Sequence, residues 1–340
     1  MKQLTLLLVL LSLVSVSCQK EDEAIVLPLP GDVLQLVAPM GSNYDDQVYV
    51  SLSKGKIHVM PYRNYDLAFE ASAQGFHIYL NGAKYMFASR TTTSDFFLAD
   101  SSNANWCVDA EQLYADSTAI GNWWVQSAAN GAGLSNVFII DRGRMDHSGA
   151  GRFRKLQVMA ADDVHYEIRF SNLDNSNVTV MNIPKDPAYS LMYFSFENNG
   201  AMVQQAPPME DWDFVFTKYT HVYFDEPLNS PYRYYPVTGA VLNIWNQVSG
   251  SVMKKDSTPN YVPFDQFKYD LVAGMPFTTN ADVIGFDWKS YDFNSSRYFI
   301  TPDLYFVLKD KNGYYFKMRM IDFYDVSGNK GTITLEYQRI

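Results

Sequence analysis

The sequence has few of the residues from which disulfide frameworks and metal clusters are built. Its 340 residues include only 2 cysteines and 5 histidines. Two cysteines cannot supply a disulfide scaffold for a chain of this length. Basic residues are also outnumbered, with 27 Lys and Arg against 37 Asp and Glu, and the formal net charge is −10. Because a nucleic-acid partner requires a basic surface, we expect none.

Catalytic motifs that depend on a fixed residue spacing are missing as well. The sequence has no His-Glu-x-x-His zinc motif, no Gly-x-Ser-x-Gly nucleophile turn and no glycine-rich phosphate loop. It also presents no nucleophile–base pair and no cluster of metal-ligating residues that could be named. We therefore expect a protein that is not an enzyme, with no catalytic residues and no metal site formed by its own side chains.

Long apolar runs are confined to the N-terminus. The predominantly apolar stretch Leu4–Val16 is too short to span a bilayer and is typical of a signal peptide. It ends at Ser15-Val16-Ser17-Cys18, where small residues before a cysteine resemble the lipobox of bacterial lipoproteins. We predict a lipoprotein signal peptide over residues 1–17, a lipid on Cys18 and a tether over residues 18–32. An ordinary secretory signal peptide with a nearby cleavage site is the alternative.

The residues after this cysteine predict the destination of the protein. Gln19-Lys20-Glu21-Asp22-Glu23 looks like the surface-export signal of Bacteroidota lipoproteins. We therefore expect a lipid-anchored protein of the outer membrane that is exposed at the cell surface. Cys107 would then have no intrachain partner, and we expect it to be a buried thiol.

Aromatic residues are abundant, at 15% of the chain, and two aromatic–Asp segments predict strands. Within Asp211–Asn243, the segment Trp212-Asp213-Phe214-Val215-Phe216 alternates apolar and polar residues as a half-buried strand requires. Tyr65-Asp66-Leu67-Ala68-Phe69 has the same pattern. Each segment leads to a histidine, His77 in the first case and His221 in the second.

The order of these patterns indicates a duplicated chain. A hairpin pattern precedes each aromatic–Asp strand, with its turn at Lys54-Gly55 in one case and at Asn199-Gly200 in the other. An Ile-Gly…Trp segment and a two-strand end follow in both halves. We predict an all-β protein of two similar antiparallel units, over residues 33–183 and 184–340. Helical pattern is sparse, and only Ala104–Tyr114 and Phe264–Ala273 suggest short helices.

The two histidines lie in similar settings, Phe76-His77-Ile78 and Thr220-His221-Val222. One interpretation is that one or both supply an axial nitrogen to haem iron, with neighbouring aromatic rings covering the porphyrin. The other is a cross-strand polar pair that is satisfied by backbone groups. The residues alone leave both interpretations open.

The segment Arg142–Lys155 contains five basic residues and three glycines. It is either a contact for an anion or a partner, or a long mobile hairpin tip. The composition favours the hairpin tip.

Several strand motifs resemble the HmuY family of Bacteroidota lipoproteins. In the second half these are Asp211–Tyr219, Tyr235–Asn243, Ile284–Tyr291 and Tyr314–Tyr324, closing with Gly331 and Glu336-Tyr337-Gln338. The first half resembles the family more weakly, through Gln47–Phe69 and Asn122-Trp123. The resemblance implies an all-β, haemophore-like protein that takes haem from host proteins and passes it to a TonB-dependent outer-membrane receptor. In the family, paired His ligate the iron, or Met in some members.

Two functions are consistent with these observations. The first is a non-catalytic surface lipoprotein that binds haem or a related ligand, with His77 and His221 as candidate ligands, for delivery to a TonB-dependent receptor. The alternative is a structural or interaction lipoprotein that binds a protein or a polysaccharide through its aromatic-rich face, without haem.

Overall fold

The computed structural model describes residues 31–111, 113, 117–124, 136–228, 230 and 232–340. The predicted signal peptide, Cys18 and most of the predicted tether lie outside the described residues. Within these residues, twenty β-strands make up most of the regular structure, and the helical segments that are described in full are short 3-10 turns. No helix among the described residues is long and apolar enough to cross a bilayer. The expected all-β class is confirmed.

The strands are β1 (Leu34–Pro39), β2 (Asp46–Ser51), β3 (Lys56–Pro61), β4 (Leu67–Glu70), β5 (Ile78–Leu80), β6 (Phe87–Arg90), β7 (Val137–Asp141), β8 (Phe153–Ala161), β9 (His165–Asn172), β10 (Thr179–Pro184), β11 (Leu191–Ser195), β12 (Ala201–Val203), β13 (Phe214–Val222), β14 (Tyr234–Leu242), β15 (Ser249–Lys254), β16 (Lys289–Asp292), β17 (Arg297–Ile300), β18 (Leu304–Lys309), β19 (Tyr315–Tyr324) and β20 (Lys330–Arg339). The 3-10 turns are Tyr62–Asn64, Gly82–Lys84, Gly149–Gly151, Glu197–Asn199, Met209–Asp211, Ile244–Asn246, Phe264–Gln266 and Tyr269–Gly274.

The strands form four main antiparallel sheets and one separate hairpin, β16-β17. We name them the first outer sheet (β1-β20-β19-β18-β15), the first inner sheet (β14-β13-β2-β3), the second inner sheet (β12-β11-β4-β5) and the second outer sheet (β10-β9-β8-β7-β6).

These sheets stack in four layers, as the contacts of alternating side chains show. On β2, Val48 and Val50 pack against the first outer sheet, whereas Tyr49 between them points to the second inner sheet. On β4, Leu67 and Phe69 pack against the second outer sheet. Because successive side chains of a strand point to opposite faces, the central strands of each inner sheet, β13 and β2 in the first and β11 and β4 in the second, are buried on both faces. Between the two inner sheets lies a core layer that is rich in tyrosine and tryptophan.

The strand pairing crosses the predicted boundary between the two units. β2 pairs with β13, and β11 pairs with β4, so each inner sheet combines a hairpin from one half of the chain with strands from the other. β1 pairs with β20 in the same way. The division between residues 183 and 184 also falls inside β10. The sheets are therefore not confined to residues 33–183 and 184–340, and the duplication stays a prediction.

Two aspartates hold the exchanged hairpins in place. Asp66 Oδ2 accepts the backbone N–H of Phe196 at 2.8 Å, just after β11. Asp213 Oδ2 accepts the backbone N–H of Leu52 at 2.7 Å, just after β2. Each aromatic–Asp strand thus ties its aspartate to the end of the hairpin beside it, which fixes the register where the halves meet.

One helix prediction is partly confirmed and the other is wrong. Within Phe264–Ala273 the chain forms two 3-10 turns. The described part of Ala104–Tyr114 is not helical, because Cys107 forms a β-bridge with Ala88 at the edge of β6. Cys107 is half-buried rather than buried, and it forms no disulfide.

Candidate functional site

His221 lies near the end of β13, at the rim of an outer groove. Its Nδ1 atom is 2.8 Å from Oε1 of Glu111, a carboxylate that is almost completely buried, while the imidazole itself is 21% exposed. Two rings approach the imidazole edge to face, Tyr223 at 4.6 Å and Phe286 at 5.1 Å between ring centroids.

A close backbone approach places Phe286 beside this histidine. Gly285 has a φ of +60°, and its carbonyl accepts the N–H of Ala240 on β14 at 2.9 Å. A Cβ on Gly239 would lie 2.4 Å from the same carbonyl oxygen. Glycine is therefore required on β14 for the segment that carries Phe286 to pack there.

The outer groove has a volume of about 410 Å³. Its lining includes His221, Tyr223, Phe286, Lys254 and Asp282. Burial, and next the neighbouring Glu111, raise the pKa of Asp282 to about 6. The groove therefore combines aromatic walls, one histidine, the acidic side chain of Asp282 and the exposed Lys254.

His77 lies in a different environment. It precedes β5 in the second inner sheet, and its Nδ1 atom is 2.9 Å from Oε2 of Glu70. The edge-to-face contact with Trp124 spans 4.5 Å between ring centroids, and the Nε2 atom is buried. Burial raises the pKa of Glu70, but the bonds from His77 outweigh it and lower the pKa overall.

The structure does not bring the two histidines together. They belong to different inner sheets and face different carboxylates, Glu111 and Glu70. His77 forms a cross-strand polar pair with Glu70, as the alternative interpretation expects, although the contact of its ring is with a carboxylate. Within the described residues, no group of three or more His, Cys, Asp or Glu could hold a metal ion.

A second cavity, of about 120 Å³, lies between the two inner sheets. Tyrosine and tryptophan side chains form most of its wall, and Asp109 and Glu111 also line it. The loop that carries these two acids runs along the sheet edges, since Asp109 accepts the N–H of Leu80 and Glu111 that of Val222. Sequence reasoning missed this inner cavity. The available signal was Tyr49, which lies between Val48 and Val50, because apolar residues on both faces of a strand indicate a second buried face.

A comparison with protein families shows the family of this chain. The family model described as HmuY protein matches residues 43–337. The chain belongs to the HmuY family. No curated protein matches it.

Several solved structures are similar to this HmuY-family chain. Apo PinO from Porphyromonas gingivitis is 13% identical, covering 91% of this chain and 97% of that one, with a TM-score of 0.29. The apo HmuY analog of Tannerella forsythia is 9% identical, covering 92% and 98%, with a TM-score of 0.23. A Bacteroides vulgatus protein described as HmuY-like and haem-binding is 18% identical, covering 41% and 78%, with a TM-score of 0.21. All three TM-scores are low, so these likenesses carry no argument about the function of this chain.

The residues of the outer groove fit one side of a haem. The groove offers one histidine with a carboxylate behind it, two aromatic rings and a lysine near which a propionate could lie. No methionine is among the described residues that line it, and His77 is not there. The paired ligation that the family resemblance implies is therefore not assembled by His77 and His221 in this structure, and their role as ligands stays a prediction.

Proposed function

We propose that this HmuY-family protein binds haem, or a related planar ligand, in the outer groove and performs no catalysis. The observation that carries the proposal is the geometry of His221. Glu111 lies beside Nδ1, and the ring stands at the rim of an aromatic-walled groove. A histidine whose Nδ1 is oriented by a carboxylate presents Nε2 as a metal ligand, with its basicity raised.

The size and charge of the groove support a haem-like ligand. Its volume of about 410 Å³ falls within the usual range for small-molecule sites. Tyr223 and Phe286 supply aromatic contact area, and Lys254 supplies a cation for a propionate. The negative charge of the buried Glu111 and the half-buried Asp282 would favour a ligand that carries a positively charged ferric iron over an uncharged ligand. His77 is not part of this proposal, because its Nε2 atom is buried.

The test is a titration of the purified protein with haemin, followed by the Soret band. We expect a saturable shift, and a loss of affinity of at least tenfold in His221→Ala, because removing an axial ligand removes the iron–nitrogen bond. His165→Ala is the matched control, since His165 also faces a carboxylate, Asp162 at 2.8 Å, but lies in the second outer sheet. Unchanged affinity in His221→Ala, or no saturable shift in the parent protein, would contradict the proposal.

We further propose that the protein acts at the cell surface as a lipid-anchored protein of the outer membrane, and that it passes the ligand to a TonB-dependent receptor. The lipobox at Cys18, the acidic segment after it and membership of the HmuY family support this location. The receptor is proposed from the family resemblance.

An exposed aromatic face favours the alternative function, an interaction lipoprotein that binds a protein or a polysaccharide. On the β16-β17 hairpin, the ring of Tyr291 lies 5.1 Å from that of Phe293 and 4.9 Å from that of Tyr298. Phe293 is 86% exposed. This function predicts capture of an outer-membrane partner and no response to haemin in the titration above.

A further inference from the structure

The inner cavity is walled by three pairs of aromatic rings, each packed edge to face. Tyr49 contacts Trp212 at 5.1 Å, Tyr65 contacts Tyr193 at 4.8 Å, and Tyr79 contacts Trp245 at 5.6 Å between ring centroids. All six residues line the cavity. Edge-to-face packing leaves ring faces, which carry partial negative charge, available to a third group.

Two acidic side chains, Asp109 and Glu111, can add negative charge to this wall. Asp109 accepts two backbone N–H groups, from Leu80 at 2.6 Å and from Ala119 at 2.7 Å. It forms no ion pair within the described part of the chain, and burial raises its pKa to about 7. Glu111 is the second carboxylate. Lys218 lines the cavity too, but its ammonium group lies 3.7 Å from the ring centroid of Tyr62, in a cation–π contact outside the six-ring wall.

Two buried polar groups of the same wall have no hydrogen-bond partner. Nε1 of Trp212 and Oγ1 of Thr220 are buried, and neither bonds to any described residue. The two residues are 2% and 3% exposed and both line the cavity. Unpaired buried polar groups are rare, because each one costs about 1–3 kcal/mol of stability. A polar ligand group or a water is therefore expected beside each of these two atoms.

We propose that the inner cavity is a binding site for a small organic ammonium ion that also carries a hydroxyl group, such as choline. Aromatic rings attract an ammonium group placed over their faces, and cages of such rings are a common way to bind quaternary ammonium ions. The two acidic side chains supply the counter-charge, and Oγ1 of Thr220 offers the hydroxyl group a hydrogen-bond partner. Trp212 lies eight residues earlier in the same extended segment, too far away to bind the same hydroxyl group. The cavity volume of about 120 Å³ is close to that of a cavity that accepts a benzene ring, at about 150 Å³.

This site is separate from the outer groove and does not depend on haem binding. Glu111 touches both, since it lines the inner cavity and faces His221. We therefore place the decisive substitution at Asp109, which lines only the inner cavity, and not at Glu111.

The test compares choline with 3,3-dimethylbutan-1-ol, its uncharged counterpart of the same shape, by calorimetry and by tryptophan fluorescence of the whole purified protein. We expect saturable binding of choline, with a change in fluorescence because Trp212 and Trp245 line the cavity. The uncharged alcohol is expected to bind at least tenfold more weakly, since it lacks the attraction to the rings and the carboxylates.

Asp109→Asn is expected to weaken choline binding at least tenfold, while Asp163→Asn, at an exposed position between β8 and β9, leaves it within twofold. If Asp109→Asn does not fold, as judged by circular dichroism, Trp245→Leu replaces it and is expected to weaken binding by a similar factor. Equal binding of the alcohol would overturn the proposed ligand class. No saturable binding of choline, with water as the only occupant, would overturn the site.

Discussion

Two aspartates in corresponding positions, Asp66 and Asp213, have pKa values shifted in opposite directions. Burial raises the pKa of Asp66, but Lys84 at 2.9 Å and Arg142 at 3.0 Å outweigh it and lower the pKa. Asp213 has no comparable pair of cations. Burial raises its pKa to about 6, and the nearby Asp310 adds to the shift.

These shifts predict opposite effects of pH on stability. Because the folded pKa of Asp213 lies above its value of 3.8 in the unfolded chain, the free energy of unfolding falls as pH rises from about 4 to 6 and stays lower above it. Asp213→Asn is expected to remove this fall, which is on the order of 3 kcal/mol. Asp66→Asn is the matched comparison. The stability that Asp66 provides is present above pH 4 and is lost as pH falls through its lowered pKa, so this variant is expected to lose about 3 kcal/mol at pH 7.

Urea denaturation at pH 2.5, pH 4 and pH 7.5 checks both expectations. Relative to the parent protein, Asp213→Asn is expected to gain stability between pH 4 and pH 7.5, and Asp66→Asn is expected to lose stability as pH rises from 2.5 to 4. If the two variants follow parallel courses with pH, the assigned causes of the two shifts are wrong.

The sequence predicted that these two aspartates correspond, because the aromatic–Asp pattern is local. It could not predict their partners. Arg142 belongs to the segment whose composition favoured a mobile hairpin tip, yet Arg142 is 1% exposed. It is buried because Asp66, 76 positions earlier in the chain, is brought beside it by the fold.

At the scale of elements, the two exchanged hairpins tie the halves of the chain together. β2 covers one edge of β13, and β4 lies beside β11. Alternation of side chains predicted most of these strands, since it reports which face of a strand is buried. It could not predict which strand pairs with which, because pairing between distant strands depends on the packing of whole sheets.

This exchange predicts that the second predicted unit does not fold alone. A fragment of residues 184–340 lacks β2 as the partner of β13 and β1 as the partner of β20. It would expose unpaired strand edges and the apolar face that Val48 and Val50 cover, so we expect aggregation or an unfolded chain. Residues 31–340 serve as the control. Cooperative thermal unfolding of a monomeric 184–340 fragment would show that the unit is independent.

At the scale of the whole molecule, the four layers separate two sites. The inner cavity lies between the two inner sheets, and the outer groove opens beside the end of β13. The sequence identified His221 through its aromatic neighbours. It did not identify Glu111 or Phe286, because both reach His221 from loops distant in the chain.

The proposed location of the molecule depends on Cys18, which precedes the described residues. Cys18→Ala is expected to release the protein from the membrane fraction, because a lipoprotein cysteine carries the acyl chains that hold it there. Cys107→Ala is the matched control and is expected to stay with the membranes. Fractionation and immunoblotting measure both. Retention of the Cys18→Ala protein would rule out the lipid anchor.

The pairing of β1 with β20 also has a consequence for the time course of folding. The first outer sheet cannot be completed until the last strand of the chain has emerged during synthesis or export, since its edge strand comes from the beginning of the chain. Such long-range pairing slows folding, because the intervening chain must be closed into a loop first. A chain of this topology closes its first outer sheet last, when β1 and β20, the first and last described strands, come together.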